Sequence, residues 1–511
     1  MFYGVVCTKE TKCIFNCIFD TLNFKIMKKQ FLFLLLISLS IFWRCEGSNY
    51  TNNDDNVDQD SLVNIVLLYT NDEHGWMESS DKYDGAPGLM DLWKTREGYD
   101  GSDNYLIISG GDMWTGPAIS TWFQGESMVQ VMNAMGYDVS AIGNHEFDFK
   151  VDGLNTRLEQ MNFPLIAANL KYKSSGEIPE FAKPYIIKEI EGIKVGIIGL
   201  ASIETPYTTA PANIAEFEFT SYTTAIEEYA NMAKQGGADV LILIGHICED
   251  EMEELVPIAK QNGISIIGGG HCHEAVAKQI DGVILMESKS GMRAYNKVSF
   301  DYNRNTDQPV NFNYELVWNN EHKKDTSIQH IVDYWTNQTQ QELSEVIGYA
   351  NETITRSSNE MANMICDSWF YTFPNADISL TNSGGIRQDI SAGDISLETI
   401  VGLLPFENMI LKLEFTGAEL MEVADDFLVG GMTTTDGYKL IDGTPIYADS
   451  VYSVLTTDYL YSLSDNNFSE YDPEPMNLYI NFRQPLIDRI KSLNTNSSDP
   501  LNNYLDYNSR H

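Results

Sequence analysis

Basic residues are scarce in this chain. Its 511 residues include 33 lysines and arginines against 73 aspartates and glutamates, which gives a formal net charge of −40. Such an acidic protein repels nucleic acid and anionic membranes at long range, so we expect neither as a partner. The charge does not exclude a phosphate-bearing substrate, because bound divalent cations dominate the electrostatic field where they bind.

Cysteines are few. After the first 45 residues the chain contains only Cys248, Cys272 and Cys366. Three dispersed cysteines do not make a disulfide framework of the kind that supports small secreted domains. Cys248 and Cys272 lie beside His246 and His271 in the sequence. Metal ligation and a role as small buried residues both fit that position, and the pattern favours small buried residues.

Long hydrophobic runs are lacking as well. The apolar stretch FLFLLLISLSIF covers only residues 31–42 and follows Lys28 and Lys29. It is too short to span a bilayer comfortably, but it has the length and the basic flank of a signal peptide. We therefore expect an exported protein, at the cell surface, in the periplasm or outside the cell, without a transmembrane span.

The leader prediction covers residues 1–45, and Met27 is an alternative start just before the apolar stretch. Residues 46–60 are polar and acidic, which is typical of a flexible tether. Cys45 could carry a lipid anchor, but Arg44 directly before it fits a bacterial lipoprotein signal poorly. We favour a leader without that anchor.

Short apolar runs, bounded by glycine, each end in residues able to hold a divalent cation. They are NIVLLYT before Asp72 and His74, YLIISGG before Asp112, VSAIG before Asn144 and His145, DVLILIG before His246, and ISIIGGG before His271 and His273. Such runs predict buried strands of a mostly parallel sheet, and ligands bind beyond the carboxyl ends of such strands. We expect these side chains to converge. Gly111, Gly143, Gly245 and Gly270 precede four of them and should give the turns freedom in φ.

The candidate ligands are carboxylates, an amide and imidazoles without thiolates, a mixture that favours zinc, manganese or similar ions. Two such ions about 3.5–4 Å apart can hold a phosphoryl group for in-line attack. A single buried histidine could equally be a core residue, and an aspartate after Gly-Gly a turn residue or helix cap. Five such pieces at strand ends favour the metal interpretation. Other hydrolase signatures are missing: there is no Gly-x-Ser-x-Gly, and neither His145-Glu146 nor His273-Glu274 continues to a zincin motif.

Strand-like and helical segments alternate from Ser61 to about Trp318, which predicts a layered α/β domain. Apolar residues at helical spacing predict a connecting helix within 323–345. A second, unrelated unit follows. The elements that we predict in the two units are helices over Glu126–Met135, Tyr222–Gln235 and about Met361–Phe370, and strands over Ile378–Thr381, Ile410–Phe415 and Val451–Thr456.

The blocks TNDEHG, GGDMWTG, AIGNHEFD, GH and GGHCH resemble the calcineurin-like metallophosphoesterases, in particular the 5′-nucleotidase/UDP-sugar hydrolase branch. The resemblance covers nearly all of the chain after the leader. It implies a four-layer αββα catalytic domain over 61–322, a linker helix over 323–345, and a smaller α+β substrate-binding domain over 346–505. It also implies two divalent metal ions. Asp112 would bridge them, with Asp72, His74 and His273 on one ion and Asn144, His246 and His271 on the other.

By the same resemblance, His145 is not a ligand but faces the substrate phosphate, and Asp148 pairs with it. A carboxylate partner fixes the tautomer of an imidazole and favours its charged form. A charged imidazole can stabilise negative charge or protonate a leaving oxygen. The alternative for Asp148 is a helix cap.

The segments NSGGIR and LPFEN resemble the best-marked blocks of the family's carboxy-terminal domain. The resemblance implies that Asn382 and Arg387 contact the nucleotide and that Phe406 stacks on the base. The glycine pair ending at Gly385 would let the backbone approach a ligand closely. From the residues alone, Phe406 could instead be a core aromatic.

The opposite wall of the base site matches the family less well. Tyr459 and Asp465 align with its second aromatic residue and its aspartate, but Leu463 and Ser464 replace the family's two glycines. Arg356 could be a further phosphate contact or a surface arginine.

The sequence therefore predicts an exported dinuclear-metal phosphohydrolase whose substrate is a nucleoside 5′-monophosphate. Nucleotide sugars, nucleoside di- and triphosphates and 2′,3′-cyclic phosphates are alternatives within the branch. A non-catalytic surface protein that binds a nucleotide or a partner is an alternative of another class. The loss of ligands would mark that class, whereas here all seven ligand positions are filled.

Overall fold

The computed structural model describes residues 61–102, 104–435 and 437–510. The predicted leader, its Cys45 and the tether lie outside the described residues. Within the described part of the chain, no helix has the length and apolar character needed to cross a membrane.

Two six-stranded sheets form the centre of the amino-terminal domain. The strands of this domain are β1 (Leu62–Thr70), β2 (Tyr105–Ser109), β3 (Val139–Ala141), β4 (Leu165–Ile166), β5 (Leu170–Tyr172), β6 (Tyr185–Ile190), β7 (Ile193–Leu200), β8 (Phe217–Phe219), β9 (Val240–Gly245), β10 (Ile264–Gly268), β11 (Ala275–Ile280), β12 (Val283–Ser288), β13 (Ala294–Asn303) and β14 (Gln308–Trp318). The sheet orders are β14-β13-β1-β2-β3-β4 and β11-β12-β10-β9-β7-β6, and β5 pairs with β8 separately.

Both sheets are parallel at their centres, and the first is antiparallel at one edge whereas the second is antiparallel at both. The strands β1 to β4 pair in parallel, as do β7, β9, β10 and β12. The strands β6, β11, β13 and β14 pair antiparallel. The predicted parallel strands are therefore present, divided between two mixed sheets.

Helices cover the outer face of each sheet. The helices up to the end of this domain are α1 (Gly85–Thr95), α2 (Ala118–Thr121), α3 (Glu126–Met135), α4 (Lys150–Leu158), α5 (Thr205–Thr208), α6 (Tyr222–Gln235) and α7 (Glu249–Gln261). Leu92 of α1 and Met132 of α3 pack in one core with the first sheet, and Ile226 of α6 packs in another with the second. A third core, with Leu67 and Ile244, fills the space between the sheets. This confirms the four-layer αββα architecture.

A long helix, α8 (Thr326–Leu343), follows this domain. Asp325 caps it by accepting hydrogen bonds from the N–H groups of Ser327 and Ile328, which satisfies two otherwise unpaired donors of the first turn. Val332 and Trp335 on its buried face join the core around α1 and α3. The predicted connecting helix is confirmed, and it packs on the amino-terminal domain.

The carboxy-terminal domain is built on a five-stranded mixed sheet of order β19-β16-β22-β18-β23. Its strands are β15 (Val346–Ala350), β16 (Ile378–Thr381), β17 (Gly393–Ser396), β18 (Met409–Thr416), β19 (Leu428–Gly430), β20 (Met432–Thr433), β21 (Lys439–Leu440), β22 (Val451–Thr457) and β23 (Met476–Asn481). Its helices are α9 (Asn359–Thr372), α10 (Leu397–Leu403), α11 (Gly417–Val423), α12 (Asp458–Ser462), α13 (Phe468–Tyr471) and α14 (Gln484–Leu493). The strands and helices predicted from the sequence are confirmed, three with the predicted ends and three with ends that differ by one or two residues. For example, α9 begins at Asn359 because Ser358 caps it.

Candidate metal centre and substrate cavity

The ends of five parallel strands bring the predicted ligands together. The ligand residues follow β1, β2, β3, β9 and β10. In each of three groups the ligand atoms lie within 4.8 Å of one another, and these groups are Asp72–His74–His273, His74–Asp112–His145 and Asp112–His246–His271. Residues far apart in the chain thus meet at the carboxyl ends of strands from both sheets, as expected for parallel strands.

Asp112 lies in the middle of the cluster. Its Oδ2 atom is 2.9 Å from Nε2 of His246 and 4.0 Å from Nε2 of both His74 and His145. Its Oδ1 atom accepts a hydrogen bond from the N–H of His145 at 2.8 Å. One oxygen is therefore fixed by the backbone, while the other faces three imidazoles.

Asp72 is fully buried beside Asp112. Its Oδ1 atom lies 3.2 Å from Nε2 of His273 and 3.6 Å from Nε2 of His74. Burial opposes the charged form of Asp72, but the surrounding histidines outweigh it and lower its pKa to about 2. The carboxylate is therefore ionised at neutral pH, as a metal ligand must be.

The donor set fits divalent cations. His74 and His246 each direct Nδ1 to a backbone carbonyl, that of Thr115 and that of Gly110, both at 3.0 Å. This arrangement leaves Nε2 as the coordinating nitrogen, and it is the usual support of a metal-binding histidine. The buried Oδ1 atom of Asn144 has no hydrogen-bond partner among the described residues. A buried acceptor without a donor is costly, and a cation would satisfy it.

The backbone at the ligands is strained. Five residues have φ in the left-handed region, namely Asp72 (50°), His74 (46°), Asp112 (60°), His271 (73°) and His273 (57°). Only a few per cent of non-glycine residues adopt this conformation. Such strain persists only where the surrounding structure imposes it, and it concentrates at functional sites.

Only one of the four glycines before the ligands has the positive φ that we predicted. Gly111 has a φ of 91°, as predicted, but the prediction was wrong for Gly143, Gly245 and Gly270, whose φ values lie outside the left-handed region. A Cβ atom on Gly143 would lie 2.1 Å from Oδ1 of Asp112. Gly143 is therefore required by the close approach of a ligand side chain rather than by its own backbone conformation.

A buried carboxylate braces two of the ligand loops. Glu146 accepts hydrogen bonds from the N–H groups of Asp112 at 2.9 Å, Met113 at 2.8 Å and Gly143 at 2.6 Å. It thereby joins the loop after β2 to the loop after β3. Sequence analysis did not identify this role, although Glu146 directly follows His145 in the same motif.

His145 is paired with Asp148 as the resemblance implies. Its Nδ1 atom lies 2.7 Å from Oδ2 of Asp148, and Nε1 of Trp114 donates to its carbonyl oxygen at 3.0 Å. Burial lowers the pKa of His145, but the carboxylates of Asp148 and Asp112 outweigh that effect and raise the pKa above its ordinary value. Asp148 therefore keeps a proton on Nδ1 and favours the charged imidazole, whose Nε2 lies 4.0 Å from Oδ2 of Asp112.

Cys248 and Cys272 form a disulfide bond, with Cα atoms 5.2 Å apart. The interpretation of both as small buried residues was wrong, since Cys272 is exposed and Cys248 is half-buried. Cys366 is free and buried. The sequence contained a signal for this disulfide, because His246 and His271 were predicted to converge and each cysteine lies within two residues of one of them.

A cavity of about 620 Å³ opens beside the metal centre, between the two domains. Most of the predicted site residues line it. Those from the amino-terminal domain are His74, Asp112, Asn144, His145, Asp148, His271 and His273, and those from the carboxy-terminal domain are Asn382, Gly385, Arg387, Phe406 and Tyr459. Asp72 and His246 lie behind this surface, fully buried.

Phe406 and Arg387 bring the carboxy-terminal domain close to His145. The rings of Phe406 and His145 are stacked, with centroids 5.7 Å apart and an interplanar angle of 20°. The guanidinium of Arg387 lies 5.9 Å from the centroid of Phe406. Burial lowers the pKa of Arg387. Because the pKa of a guanidinium lies far above neutrality, the side chain remains a cation.

Two predicted substrate contacts lie elsewhere. Arg356 does not line the cavity. Its Nη1 atom donates to the carbonyl oxygen of Arg387 at 3.2 Å, so it supports the backbone of the arginine that does. Asp465 is exposed, outside the cavity, next to Ser464 that replaces a family glycine.

The wall formed by residues 205–213 was not predicted. The hydroxyl of Tyr459 donates to the carbonyl oxygen of Tyr207 at 2.9 Å, and the hydroxyl of Thr209 lies 3.4 Å from Oδ1 of Asp148. Thr208, Thr209 and neighbouring residues line the cavity. This segment carries no motif, and its place at the cavity follows from its contacts with Asp148 and with Tyr459 of the other domain.

Comparison with known proteins agrees with this geometry. Residues 65–275 match the calcineurin-like phosphoesterase family, and residues 341–440 match the 5′-nucleotidase C-terminal domain. The crystal structure of a 5′-nucleotidase precursor from Thermus thermophilus superposes with a TM-score of 0.74 at 18% identity, covering 88% of this chain and 99% of that one. At that identity the likeness establishes the fold.

Curated relatives share more sequence. Endonuclease YhcR of Bacillus subtilis is 27% identical over 78% of this chain, which spans only 37% of the endonuclease. Snake venom 5′-nucleotidase of Gloydius brevicauda is 27% identical, covering 74% of this chain and 73% of the venom protein. The two family matches together account for more than half of the 511 residues. The chain belongs to the calcineurin-like phosphoesterases that carry a 5′-nucleotidase C-terminal domain.

Proposed function

We propose that this protein hydrolyses phosphoric esters of nucleotides, with nucleoside 5′-monophosphates as its main substrates. The observation that carries the proposal is the cluster of two carboxylates, one orphaned amide oxygen and four imidazoles at the carboxyl ends of strands from both sheets. A paired histidine and an arginine face the same cavity. We take residues 61–322 as the catalytic domain, 323–345 as the linker and 346–505 as the substrate-binding domain.

Two divalent metal ions, zinc, manganese or similar, would complete the site. Asp72, His74, Asp112 and His273 would hold one ion, and Asp112, Asn144, His246 and His271 would hold the other. This division is supported by the two ligand groups that share no residue, Asp72–His74–His273 and Asp112–His246–His271. When bound, such ions activate water and neutralise phosphate charge.

The residues of the chain supply the remaining chemistry. The charged Nε2–H of His145 can stabilise negative charge on the phosphate and then protonate the leaving oxygen of the nucleoside. Asp148 accepts a hydrogen bond from Nδ1–H and favours the charged form of the imidazole, in which Nε2 also carries a proton that it can donate. The guanidinium of Arg387 supplies a second fixed positive charge from the other domain.

The carboxy-terminal domain would bind the nucleoside. Phe406 and Tyr459 both line the cavity and offer flat apolar faces to a base. Stacking of this kind tolerates any base, so we expect broad base specificity. Asn382 and the exposed backbone near Gly385 would position the sugar and phosphate.

We further propose that the protein is exported. The apolar stretch over 31–42 supports export, and so does the Cys248–Cys272 disulfide, because disulfides persist mainly in oxidising compartments. Cleavage of the leader in the secreting host, detected by mass spectrometry of the mature protein, tests this part.

One substrate panel tests the function. Purified protein with added Mn²⁺ or Zn²⁺ should release phosphate from AMP, and the rate should fall to background in excess chelator. The panel includes UDP-glucose, ATP, 2′,3′-cyclic AMP and a short RNA, because one relative is named an endonuclease. Activity that survives exhaustive removal of metal would contradict the proposal, and binding of AMP without turnover would favour the non-catalytic alternative.

A further inference from the structure

A covalent bond joins the two loops that present three of the histidines. Cys248 lies two residues after His246, and Cys272 lies between His271 and His273. The disulfide closes a segment with a sequence separation of 24. It therefore links the loop after β9 to the loop after β10 directly at the ligands.

The loop around Cys272 needs such a constraint. His271 and His273, on either side of it, have φ values of 73° and 57°. Backbone strain of this kind persists only where something outside the loop imposes it. Packing contributes little at Cys272 itself, because that residue is exposed.

Non-covalent contacts between the two loops are few and local. The N–H of Gly270 donates to the carbonyl oxygen of Ile247 at 2.9 Å, and the rings of His246 and His271 lie 4.9 Å apart at an angle of 70°. The N–H of His271 donates to Oδ2 of Asp72 at 3.0 Å. Nδ1 of His246 is held by a hydrogen bond with the carbonyl oxygen of Gly110. Among the described residues, no hydrogen bond or ion pair holds the imidazole of His271 in the same way. The position of His271 thus depends on its backbone.

We propose that the Cys248–Cys272 disulfide is a positioning element for the metal centre, so that tight retention of metal requires an oxidising environment. The inference rests on the proposed dinuclear site, and it concerns the two cysteines as positioning residues, since neither touches the substrate. Loss of the bond frees the strained loop and misplaces His271 and His273. Residues that orient metal ligands typically change metal affinity roughly 10- to 100-fold when they are removed.

The test measures metal affinity rather than activity. Wild-type protein and the double variant Cys248→Ser/Cys272→Ser are titrated with Mn²⁺ and Zn²⁺ against a chromophoric chelator, and bound metal is counted after dialysis. We expect the affinity of the variant to be roughly 10- to 100-fold weaker. Excess metal should restore most of its AMP hydrolysis.

Lys278→Met is the matched control. The Lys278 ammonium pairs with Glu249 and Glu253 of α7, so it joins β11 to α7 near the same loops without linking the ligands themselves. Its removal should change the thermal stability little and leave metal affinity within about twofold of the wild type, because an exposed ion pair contributes little.

Reduction of the folded wild type provides a second arm that does not depend on how the variant folds. A water-soluble phosphine takes the oxygen of one water molecule to become a phosphine oxide, and its two electrons convert the disulfide into two thiols. Two additional thiols should then titrate, and metal affinity should fall as in the double variant. The metal affinity of the double variant should not change in the same phosphine.

The outcomes separate this inference from the proposed function. If the wild type binds no metal and hydrolyses no nucleotide, the proposed function fails. If the wild type binds two ions, and neither reduction nor the double substitution weakens them, the disulfide has no positioning role and the inference is overturned. Equal weakening in Lys278→Met would also overturn it, since the effect would then be general loosening of this region.

Discussion

Two parts of the cavity are built in different ways. The metal edge consists of the candidate ligands Asp72, His74, Asp112, Asn144, His246, His271 and His273. The substrate wall consists of Asn382, Arg387, Phe406, Tyr459 and residues 205–213. The metal edge uses side chains at the ends of parallel strands, all buried except the half-buried His271 and His273, on a backbone held in the left-handed region at five residues. The substrate wall uses half-buried side chains from loops and short helices of two domains. Metal ligation requires positions fixed to a few tenths of an ångström, whereas stacking on a base tolerates small shifts. We therefore expect substitutions at the metal edge to reduce the rate, and substitutions at the wall to change the substrate preference.

The largest effect should follow Asp112→Asn at the centre of the metal edge. The amide cannot bridge two cations with a full negative charge, so we expect AMP turnover to fall at least about 10³-fold and bound metal to drop after dialysis. Asp250→Asn, on an exposed residue of α7, makes the same chemical change and should be neutral. A near-normal rate for Asp112→Asn would remove the bridging role.

Asp148→Asn should lower kcat by roughly 10²-fold, since general acid catalysis contributes about 10²–10⁴-fold. The pKa of His145 is raised in the folded protein, so the charged form is present below that pKa and is lost as the pH rises through it. Removing the carboxylate of Asp148 lowers this pKa, and the alkaline limb of the kcat profile should move to lower pH. Asp152→Asn, at an exposed position, should leave the limb in place. An unmoved limb in Asp148→Asn would contradict the pairing.

Glu146→Gln tests whether the hydrogen bonds that Glu146 accepts from the two ligand loops help to position the metal ligands. The amide nitrogen of glutamine would face N–H groups that now donate to the carboxylate. We expect a loss of unfolding free energy of roughly 1–3 kcal/mol. Metal affinity should fall roughly 10- to 100-fold. Glu159→Gln, on an exposed residue, is the control. Denaturant unfolding and metal titration measure the two effects, and a stable variant with normal affinity would show that these hydrogen bonds are dispensable.

Phe406→Ala should have the smallest effect on chemistry and the clearest effect on selectivity. Loss of roughly 1–3 kcal/mol of stacking lowers kcat/KM for AMP by roughly 5- to 150-fold, mainly through KM. Hydrolysis of p-nitrophenyl phosphate should change much less, and Phe406→Tyr should behave like the wild type. Equal losses for both substrates would show that Phe406 acts through its contact with His145 instead.

The metal edge could be predicted well from the sequence because its signal is local. Each ligand directly follows an apolar run, and the direction of parallel strands then fixes where the ligands meet. The left-handed backbone of Asp72 or His271 has no such signal. The bracing role of Glu146 depends on where two loops pass each other, which periodicity does not describe.

The substrate wall could be predicted less well because its residues come from loops. Phe406 and Arg387 were found through well-marked blocks, whereas the segment 205–213 carries no motif and is placed only by the packing of two domains. Asp465 shows the same limit, since a position aligned with the family can still lie outside the cavity. The disulfide was missed because pairing depends on distance in space, and its two cysteines were judged singly.

Crystals grown with Mn²⁺ and measured for anomalous scattering would test the central claim most directly. The account predicts two anomalous peaks about 3.5–4 Å apart, with Asp112 between them and His74, His246, His271 and His273 around them. A single peak, or no peak near Asp112 in protein that hydrolyses AMP, would contradict it.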